Sequence, residues 1–272
     1  MSTALRSIGP VMLVGAGKMG LALAKGWLDA GLPPSNLLLV DPNPGDAARE
    51  LAADYGLTLN AEAAGLQPNV LVLAVKPQII DPVLASLRPV TGPNTLAISI
   101  AAGIDIARLS RGLDMGRIVR TMPNTPAQIG KGITGAVPGP DVTPQDRAVA
   151  EALLSAAGPV VWFDDESQLD AVTALSGSGP AYVFHLVEAL AAAGKKMGLP
   201  DAIADQLARQ TVIGSAALME ADPATPAILR QNVTSPNGTT AAGLAVLMEG
   251  LTPLIEATTE AARQRSEELG RG

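Results

Sequence analysis

Short apolar runs alternate with amphipathic stretches through the first half of the chain, and this alternation constrains the fold more than any other feature. It predicts βαβ units, in which parallel strands form one sheet and the connecting helices cover both of its faces. We therefore expect an α/β fold with a doubly wound sheet. The predicted strands are Val11–Val14, Leu37–Val40, Val70–Val75, Thr95–Ile100 and Ile118–Thr121, followed by Gly132–Val137 and Val160–Phe163. The predicted helices between them are Met19–Ala30, Gly45–Tyr55, Ile79–Leu87, Ile104–Gly112 and Pro144–Ala157.

Strand patterns stop after about Asp165, and the rest of the chain is typical of helices. The predicted helices are Ala181–Met197, Pro200–Glu220, Ala224–Gln231, Thr240–Glu249 and Leu251–Leu269. We expect two domains, residues 1–164 and residues 165–272, of which the second is all-α. Its helices are rich in Ala and Leu and short of charged faces, so we expect them to bury surface against a second copy of the chain.

Composition excludes several classes of function. With 19 Lys plus Arg and 26 Asp plus Glu among 272 residues, the net charge is −7, which argues against a free-standing nucleic-acid binder. The absence of Cys excludes disulfides and thiolate sites, and a single His argues against His-rich metal sites, so we expect no metal. No uncharged apolar run approaches the ~18 residues that cross a bilayer. We interpret the apolar stretch Ile8–Gly17 as a strand and turn rather than a signal peptide, and expect a cytoplasmic protein without a membrane partner.

The segment Gly15-Ala-Gly17-Lys-Met-Gly20 follows the first predicted strand and opens the first predicted helix. In that context G-x-G-x-x-G indicates a dinucleotide site: Gly15 allows the tight turn, Gly17 lets the backbone approach a pyrophosphate, and Gly20 lets the helix pack close to the sheet. The helix N-terminus adds free N–H groups and partial positive charge. The alternative is a tight strand-to-helix turn without a ligand.

Asp41 follows the second predicted strand, 21 residues beyond Gly20. A carboxylate at this point usually accepts hydrogen bonds from the adenosine ribose, which favours NADH over NADPH. Asp41 can equally be the first residue of the Asp-Pro-Asn-Pro turn. The residues leave these two interpretations open, and with them the choice of cofactor.

Three further loops follow predicted strands and contain small residues. They are Ala74–Pro77, Ala101–Gly103 and Met122–Pro126. In a doubly wound sheet, ligands lie beyond the carboxyl ends of the strands, so these loops suit a flat nicotinamide ring lying against the backbone, with Asn124 as a hydrogen-bonding side chain. Each loop taken singly is equally typical of an ordinary strand-to-helix connection.

The residues restrict the chemistry. His185 falls within a predicted helix, and Lys195 and Lys196 lie near the end of that helix, where cations complement the helix dipole. A reaction that needs little proton transfer therefore fits best, such as hydride addition to a cyclic imine that is already protonated when it binds. A hydroxyacid dehydrogenase with a helical Lys as its acid, and a nucleotide sensor without turnover, remain as alternatives.

Two polar turns are candidates for a substrate site. The segment Asn232–Thr240 is dense in hydroxyl groups and directly precedes a predicted helix, so free N–H groups together with Ser235, Thr239 and Thr240 would suit a carboxylate. Simple N-capping explains the same residues. We interpret the second turn, Ser176–Pro180, as a linker between domains, with a close approach to the nicotinamide as the alternative.

Seven segments, taken together, resemble one known family, the pyrroline-5-carboxylate reductases. They are GAGKMG (15–20), LAVKPQII (73–80), SIAAGI (99–104), RTMPNTPA (120–127), LSGSGPAYVF (175–184), MGLP (197–200) and NVTSPNGTTAAGLAVLME (232–249). They occur in family order and span nearly the whole chain. The resemblance implies an N-terminal Rossmann domain and a C-terminal helical domain that dimerises by interlocking with its partner, the dimers often assembling into decamers. It also implies reduction of 1-pyrroline-5-carboxylate to L-proline by NADPH or NADH.

Functional residues follow from the resemblance position by position. The cofactor residues that it implies are Gly15, Ala16, Gly17, Lys18 and Met19 around the pyrophosphate, Ala74, Lys76 and Pro77 along the cofactor, and Ala101, Ala102 and Asn124 around the nicotinamide. The substrate residues that it implies are Asn232, Ser235, Gly238, Thr239 and Thr240, with Thr240 near the pyrroline nitrogen as the catalytic residue. The chain departs from the family at Asn237, where Gly is usual, after Met248, where the spacing is shorter, and at Asp41, which is unlike the small or basic residues of NADPH-preferring members.

Overall fold

The computed structural model describes residues 5–271 of the chain, and its contacts divide it into two compact units. The first unit contains the residues up to Ser178 together with those from Ala262 onward, and the second is Gly179–Ala261. The contacts thus group residues 165–178 with the first unit, whereas the sequence assigned them to the helical domain. The predicted division into residues 1–164 and 165–272 stays a prediction, and its residues 1–4 and 272 lie outside the described range.

The first unit is built on an eight-stranded sheet with the order β3-β2-β1-β4-β5-β6-β7-β8. Every neighbouring pair is parallel except β6 and β7. The strands are β1 (Val11–Val14), β2 (Leu37–Val40), β3 (Leu59–Asn60), β4 (Val70–Leu73), β5 (Leu96–Ser99), β6 (Ile118–Met122), β7 (Thr134–Pro138) and β8 (Val160–Trp162). The first six have the order of a Rossmann fold, in which the chain reverses direction across the sheet between β1 and β4. The predicted α/β fold is confirmed.

Two features of the sheet differ from the prediction. The two-residue strand β3 was not predicted, because Leu59 and Asn60 are too few to show an alternating pattern. Strand β7 runs antiparallel to β6. A parallel return needs a crossover of about a dozen residues or more, usually a helix, whereas the connection after β6 contains only the short 3₁₀ turn Thr125–Ile129.

Six helices of the first unit cover the sheet or lead away from it. They are α1 (Lys18–Asp29), α2 (Asp46–Tyr55), α3 (Ile80–Leu87), α4 (Ile106–Leu113), α5 (Pro144–Leu154) and α6 (Gln168–Val172). The central strands are buried on both faces, so alternate residues feed two cores: Leu13 and Val72 pack with Trp27 of α1, while Met12 and Leu71 pack on the other face. Trp27 also donates a hydrogen bond from Nε1 to the carbonyl of Leu153, at 2.8 Å.

The second unit is entirely helical over its described residues. Its helices are α7 (Gly179–Lys196), α8 (Asp201–Ala221), α9 (Pro226–Asn232) and most of α10 (Thr239–Arg271). The predicted break of α10 at Gly250 is wrong, because both Gly250 and Pro253 lie inside one continuous helix. A glycine costs a helix only about 1 kcal/mol, which neighbouring turns can outweigh.

Large apolar side chains of the second unit are exposed in the single chain, among them Phe184, Leu207, Val246 and Leu254. By length and composition alone, the stretch Thr239–Gly270 of α10 would also be able to cross a membrane, with a mean hydropathy of 1.2 over its best 18 residues. No such span was expected from the sequence, because only uncharged apolar runs were counted and Glu249 and Glu256 interrupt the apolar residues of this helix. Such a helix equally suits packing against a second protein chain.

One buried ion pair ties the amino end of β6 to α5. Arg117 Nε donates to Asp146 Oδ2 at 3.1 Å, and Asp146 forms a capping box with Thr143 at the start of α5. The side chain of Asp146 is only 5% exposed. Burial opposes its charged form, but the hydrogen bonds from Arg117 and Thr143 outweigh burial and hold the pKa of this carboxyl below its usual value.

We expect Asp146→Ala to lower the free energy of unfolding by about 3 kcal/mol or more, because it leaves Arg117 without its buried partner and removes one arm of the capping box. Since the folded pKa lies below the unfolded one, this stabilisation is present above about pH 4 and is lost as the pH falls through the folded pKa. Urea titrations at neutral and acid pH measure both effects. The control is Asp81→Asn, whose carboxylate pairs with Arg108 on the exposed surface and should matter little. Equal losses in the two variants would contradict the expectation.

Candidate active site

The Gly-rich loop leaves β1 where the strand order reverses, between β1 and β4. The amide of Gly15 donates to the carbonyl of Val40 in β2, and the amide of Ala74 donates to the carbonyl of Val14. Gly15 has a φ of +98°, and a Cβ there would lie 2.6 Å from the carbonyl oxygen of Ala74. Both the conformation and the close approach to the loop after β4 therefore require glycine.

The other two glycines of the motif have different surroundings. A Cβ on Gly20 would clash with the carbonyl oxygen of Gly15, so this position requires glycine for packing between helix and loop. A Cβ on Gly17 would meet nothing within 4 Å. Gly17 is the N-cap of α1 and contributes no side-chain cap, so the N–H groups that begin the helix face open space. An anionic group such as a pyrophosphate fits this position, close to Lys18 and Met19.

Asp41 makes two hydrogen bonds at the end of β2. Its Oδ1 accepts from the amide of Asn43 at 2.8 Å, which is the turn that the sequence suggested. Its Oδ2 accepts from the amide of Ala16 at 2.8 Å, inside the Gly-rich loop. A carboxylate can accept about four hydrogen bonds, so capacity remains for a ribose hydroxyl. The two interpretations of Asp41 are thus compatible, and its charge lies beside the dinucleotide loop in either case.

The predicted cofactor loops meet at the same edge of the sheet, beyond β4, β5 and β6. Ala74 and Pro77 are half-buried and Lys76 is exposed. Ala101 is buried, whereas the side chain of Ala102 is exposed. These loops come together because parallel strands end at a common edge.

Asn124 follows β6 and is buried. Its Oδ1 accepts a hydrogen bond from the amide of Ile133 at 2.9 Å, which holds the connection to β7 in place. The side chain therefore has a structural task that the sequence did not show. Its contact with a nicotinamide or ribose stays a prediction.

A cavity of about 680 Å³ lies at this edge of the first unit. Its volume is within the usual range for small-molecule sites. Pro77 and Ala102 were predicted as cofactor residues; the lining residues that the sequence analysis did not select are Gln78, Gly103, Ile104, Arg108, Thr173, Ser178, Ala262, Arg265, Ser266 and Leu269. Of these, Gly103 and Ser178 lie in the candidate loops Ala101–Gly103 and Ser176–Pro180, whereas no local sequence pattern connects the end of α10 with this edge of the sheet.

The segment after α6 is helical, not the turn that Ser176–Pro180 suggested. Residues Thr173–Gly177 form a π-helical turn, closed by a 2.8 Å hydrogen bond from the amide of Ser178 to the carbonyl of Thr173. A Cβ on Gly177 would lie 2.7 Å from Cε of Met122 at the end of β6. Gly177 therefore allows the π-turn to pack against that strand end, and π-turns occur frequently at functional sites.

The second unit contains the predicted substrate turn. Asn232 ends α9, and Thr239 and Thr240 begin α10 with both side chains exposed. The turn is closed by a 3.1 Å hydrogen bond from the amide of Gly238 to the carbonyl of Ser235, and a Cβ on Gly238 would lie 2.7 Å from Ser235 Oγ. A carboxylate fits the N–H groups at the start of this long helix.

Asn237 adopts the left-handed conformation, with a φ of 58°. The resemblance implies glycine at this position, and Asn is one of the few other residues that tolerate such a backbone. The departure is therefore accommodated without opening the turn.

The candidate acids and bases outside these loops are engaged elsewhere. His185 is exposed and lies 3.0 Å from Glu188. Lys195 pairs with Asp205 at 2.9 Å, and the hydrogen bond from Lys195 raises its own pKa further above the range of a general acid. Among residues 5–271, no group of three or more His, Asp or Glu side chains forms a potential metal site.

Comparison with known proteins gives a consistent result. Residues 166–269 match the family model described as pyrroline-5-carboxylate reductase dimerisation, and residues 10–103 match the model described as NADP oxidoreductase, coenzyme F420-dependent. The chain is 41% identical to the pyrroline-5-carboxylate reductase of Pseudomonas aeruginosa, over 95% of this chain and 96% of that protein.

Comparison with solved structures points to the same family as the sequence matches. The chain is similar to a pyrroline-5-carboxylate reductase from Coxiella burnetii, with a TM-score of 0.90, 33% identity and coverage of 97% of this chain and 99% of that one. It is also similar to the Plasmodium falciparum enzyme solved with NADP bound, with a TM-score of 0.82, 30% identity and the same two coverages.

We expect Gly17→Ala to raise the Kd of a nicotinamide dinucleotide by about tenfold or more, equivalent to about 1.4 kcal/mol, while leaving the melting temperature unchanged. The reason is that the added methyl group enters the open space that a pyrophosphate would take. Titration followed by nicotinamide fluorescence measures the Kd. Gly92→Ala is the matched control, because it also adds a methyl group to open space, away from the loop. Binding unchanged in Gly17→Ala would remove this loop from the cofactor site.

Proposed function

This chain belongs to the pyrroline-5-carboxylate reductase family, and we propose that it catalyses the family's reaction with the residues located above. It reduces 1-pyrroline-5-carboxylate to L-proline with NADPH or NADH, which is the last step of proline biosynthesis. The observation that carries the proposal is the match over nearly the full length of relatives that share this activity. The two alternative functions have no comparable support, since the full-length relatives reported above are described as pyrroline-5-carboxylate reductases.

The first unit holds the cofactor in this proposal. The N–H groups at the start of α1 and the loop Gly15–Met19 bind the pyrophosphate, and Asp41 faces the adenosine ribose. Ala74, Lys76 and Pro77 lie along the cofactor, and Ala101, Ala102 and Asn124 surround the nicotinamide. The cofactor supplies the hydride. The open space at Gly17 and the small residues beyond β4 and β5 support this assignment.

The substrate binds at the start of α10 in this proposal. Its carboxylate accepts hydrogen bonds from the helix N-terminus and from Ser235 and Thr239, with Gly238 and Asn232 lining the same pocket. The Thr240 hydroxyl lies near the imine nitrogen and orients the ring. When the imine binds in its protonated form, hydride addition to its carbon gives a neutral secondary amine directly. The protein then mainly has to position the two reactants.

The family match also bears on how the chain assembles. The match to the dimerisation region shows a homodimer, and the exposed apolar helices of the second unit supply surface for it. We further propose that dimers assemble into decamers, that residues 1–164 and 165–272 are the two domains, and that the enzyme works in the cytoplasm.

Thr240→Ala is expected to lower kcat/KM for pyrroline-5-carboxylate by roughly 10- to 100-fold, if its hydrogen bond strengthens in the transition state. The assay follows oxidation of the reduced nicotinamide. Thr240→Ser keeps the hydroxyl and should retain most of the activity. Thr211→Ala is the control, because that hydroxyl bonds only to the carbonyl of Leu207 in its own helix. A kcat/KM equal to wild type in Thr240→Ala would remove Thr240 from the mechanism.

Asp41→Asn is expected to shift the ratio of kcat/KM for NADPH over NADH upward by about tenfold, or about 1.4 kcal/mol. The amide keeps an acceptor oxygen for the turn with Asn43 but loses the acceptor for the amide of Ala16, which affects both cofactors alike. The charge that opposes a 2′-phosphate is gone, so the ratio still changes. Parallel assays with the two cofactors give the ratio. A ratio that does not move would show that the carboxylate points away from that phosphate. An absence of turnover with both cofactors in the wild-type protein would overturn the proposed function itself.

A further inference from the structure

The last turns of α10 pack against the loop that follows β5. Gly103 in this loop has a φ of +73°, and a Cβ there would lie 3.5 Å from the carbonyl carbon of Leu269. Conversely, a Cβ on Gly270 would lie 3.5 Å from the carbonyl oxygen of Gly103. The two backbones are therefore so close that an added Cβ on either glycine would already be in ordinary van der Waals contact with the other segment.

A buried polar contact helps to anchor this end of the helix. Ser266 is the one buried residue among the described residues of α10, at 7% exposure. Its hydroxyl donates to Oδ1 of Asp170 on α6, at 2.6 Å. All of these residues belong to the first unit. Loss of a buried hydrogen-bond partner leaves the remaining group unsatisfied, so this bond contributes to where the helix end rests.

The loop after β5 is held from a second direction. Ser99 is completely buried, and its Oγ accepts a hydrogen bond from the amide of Ala101 at 3.3 Å. Ala101 is buried, whereas Ala102 lines the cavity together with Ser266 and Leu269. The end of α10 is thus both a wall of the cavity and a support for the loop that forms the facing wall.

We propose that Ser266 is a positioning residue for the nicotinamide half of the cofactor. It holds the last turns of α10 against Gly103 and so determines the position of Ala101 and Ala102. This inference rests on the proposed function, in which that loop receives the nicotinamide. Hydride transfer depends strongly on such positioning, because a displacement of about 1 Å can cost about 100-fold in rate.

The proposal predicts different effects on the binding of the nicotinamide half and of the ADP-ribose half of the cofactor. The pyrophosphate loop follows β1 and Asp41 follows β2, whereas Gly103 follows β5 and the partner of Ser266, Asp170, lies on α6 beside β6 and β7. Loosening the end of α10 should therefore weaken the binding of a complete dinucleotide but not that of ADP-ribose, which lacks the nicotinamide. A general loss of folding would weaken both.

The test uses the full-length protein and three variants. They are Ser266→Ala, which removes the hydroxyl, Ser266→Thr, which keeps it, and the control Ser86→Ala, whose hydroxyl bonds to Val83 in its own helix. Calorimetric titrations give the Kd for NADH and for ADP-ribose, and assays give KM and kcat. In Ser266→Ala we expect the Kd and KM for NADH to rise by about fivefold to tenfold, with ADP-ribose binding unchanged. Ser266→Thr and Ser86→Ala should resemble wild type.

Two results would overturn the proposal: NADH binding in Ser266→Ala equal to wild type, or an equal loss for NADH and ADP-ribose. If Ser266→Ala does not fold, a chain ending at Glu268 decides the question, since it keeps the bond to Asp170 but lacks Leu269 and Gly270. An NADH affinity equal to wild type in that chain would also overturn the proposal. Failure of the wild-type protein to bind NADH or reduce pyrroline-5-carboxylate would instead count against the proposed function.

Discussion

The close approach of the Gly-rich loop to β4 is the constraint on which the rest of the first unit depends. Gly15 and the loop after β4 are in contact through backbone atoms, and Gly20 lets the first turn of α1 pack directly on Gly15. Without side chains at these two positions, the helix N-terminus reaches the edge of the sheet where the strand order reverses. A methyl group at either position would push the helix away, and its partial positive charge with it.

The other predicted cofactor loops come together because they lie at the same edge of the sheet. Ala74, Ala101 and Ala102 are ordinary small residues in isolation, but they follow parallel strands that all end on the same side of the sheet. The cavity there is completed by residues much later in the chain, namely the π-turn after α6 and the end of α10. The cavity is therefore assembled from four separate stretches of sequence, and its geometry depends on how these stretches pack.

The second unit has a different physical basis. Its helices carry many apolar side chains that the single chain leaves exposed, and they lie within the family's dimerisation region. Packing against a partner chain therefore adds to their stabilisation, because packing of apolar faces stabilises helices more than helix propensity does. The start of α10, with Thr239 and Thr240, belongs to this unit, so the proposed substrate turn and the dimerisation surface share one scaffold.

Features that depend on local pattern could be predicted from the amino-acid sequence. The buried strands, the helices between them and the glycine motif have short-range periodicity or fixed spacing, and the predicted strands Val11–Val14 and Leu37–Val40 match the structure residue for residue. Four other features became visible only in the folded chain: the antiparallel direction of β7, the continuity of α10 through Pro253, the hydrogen bond from Ala16 to Asp41, and the packing of Leu269 beside Gly103. These features join residues far apart in the chain or let packing outweigh a local preference. No pattern within a short window encodes such contacts, because they form only when the elements are packed together.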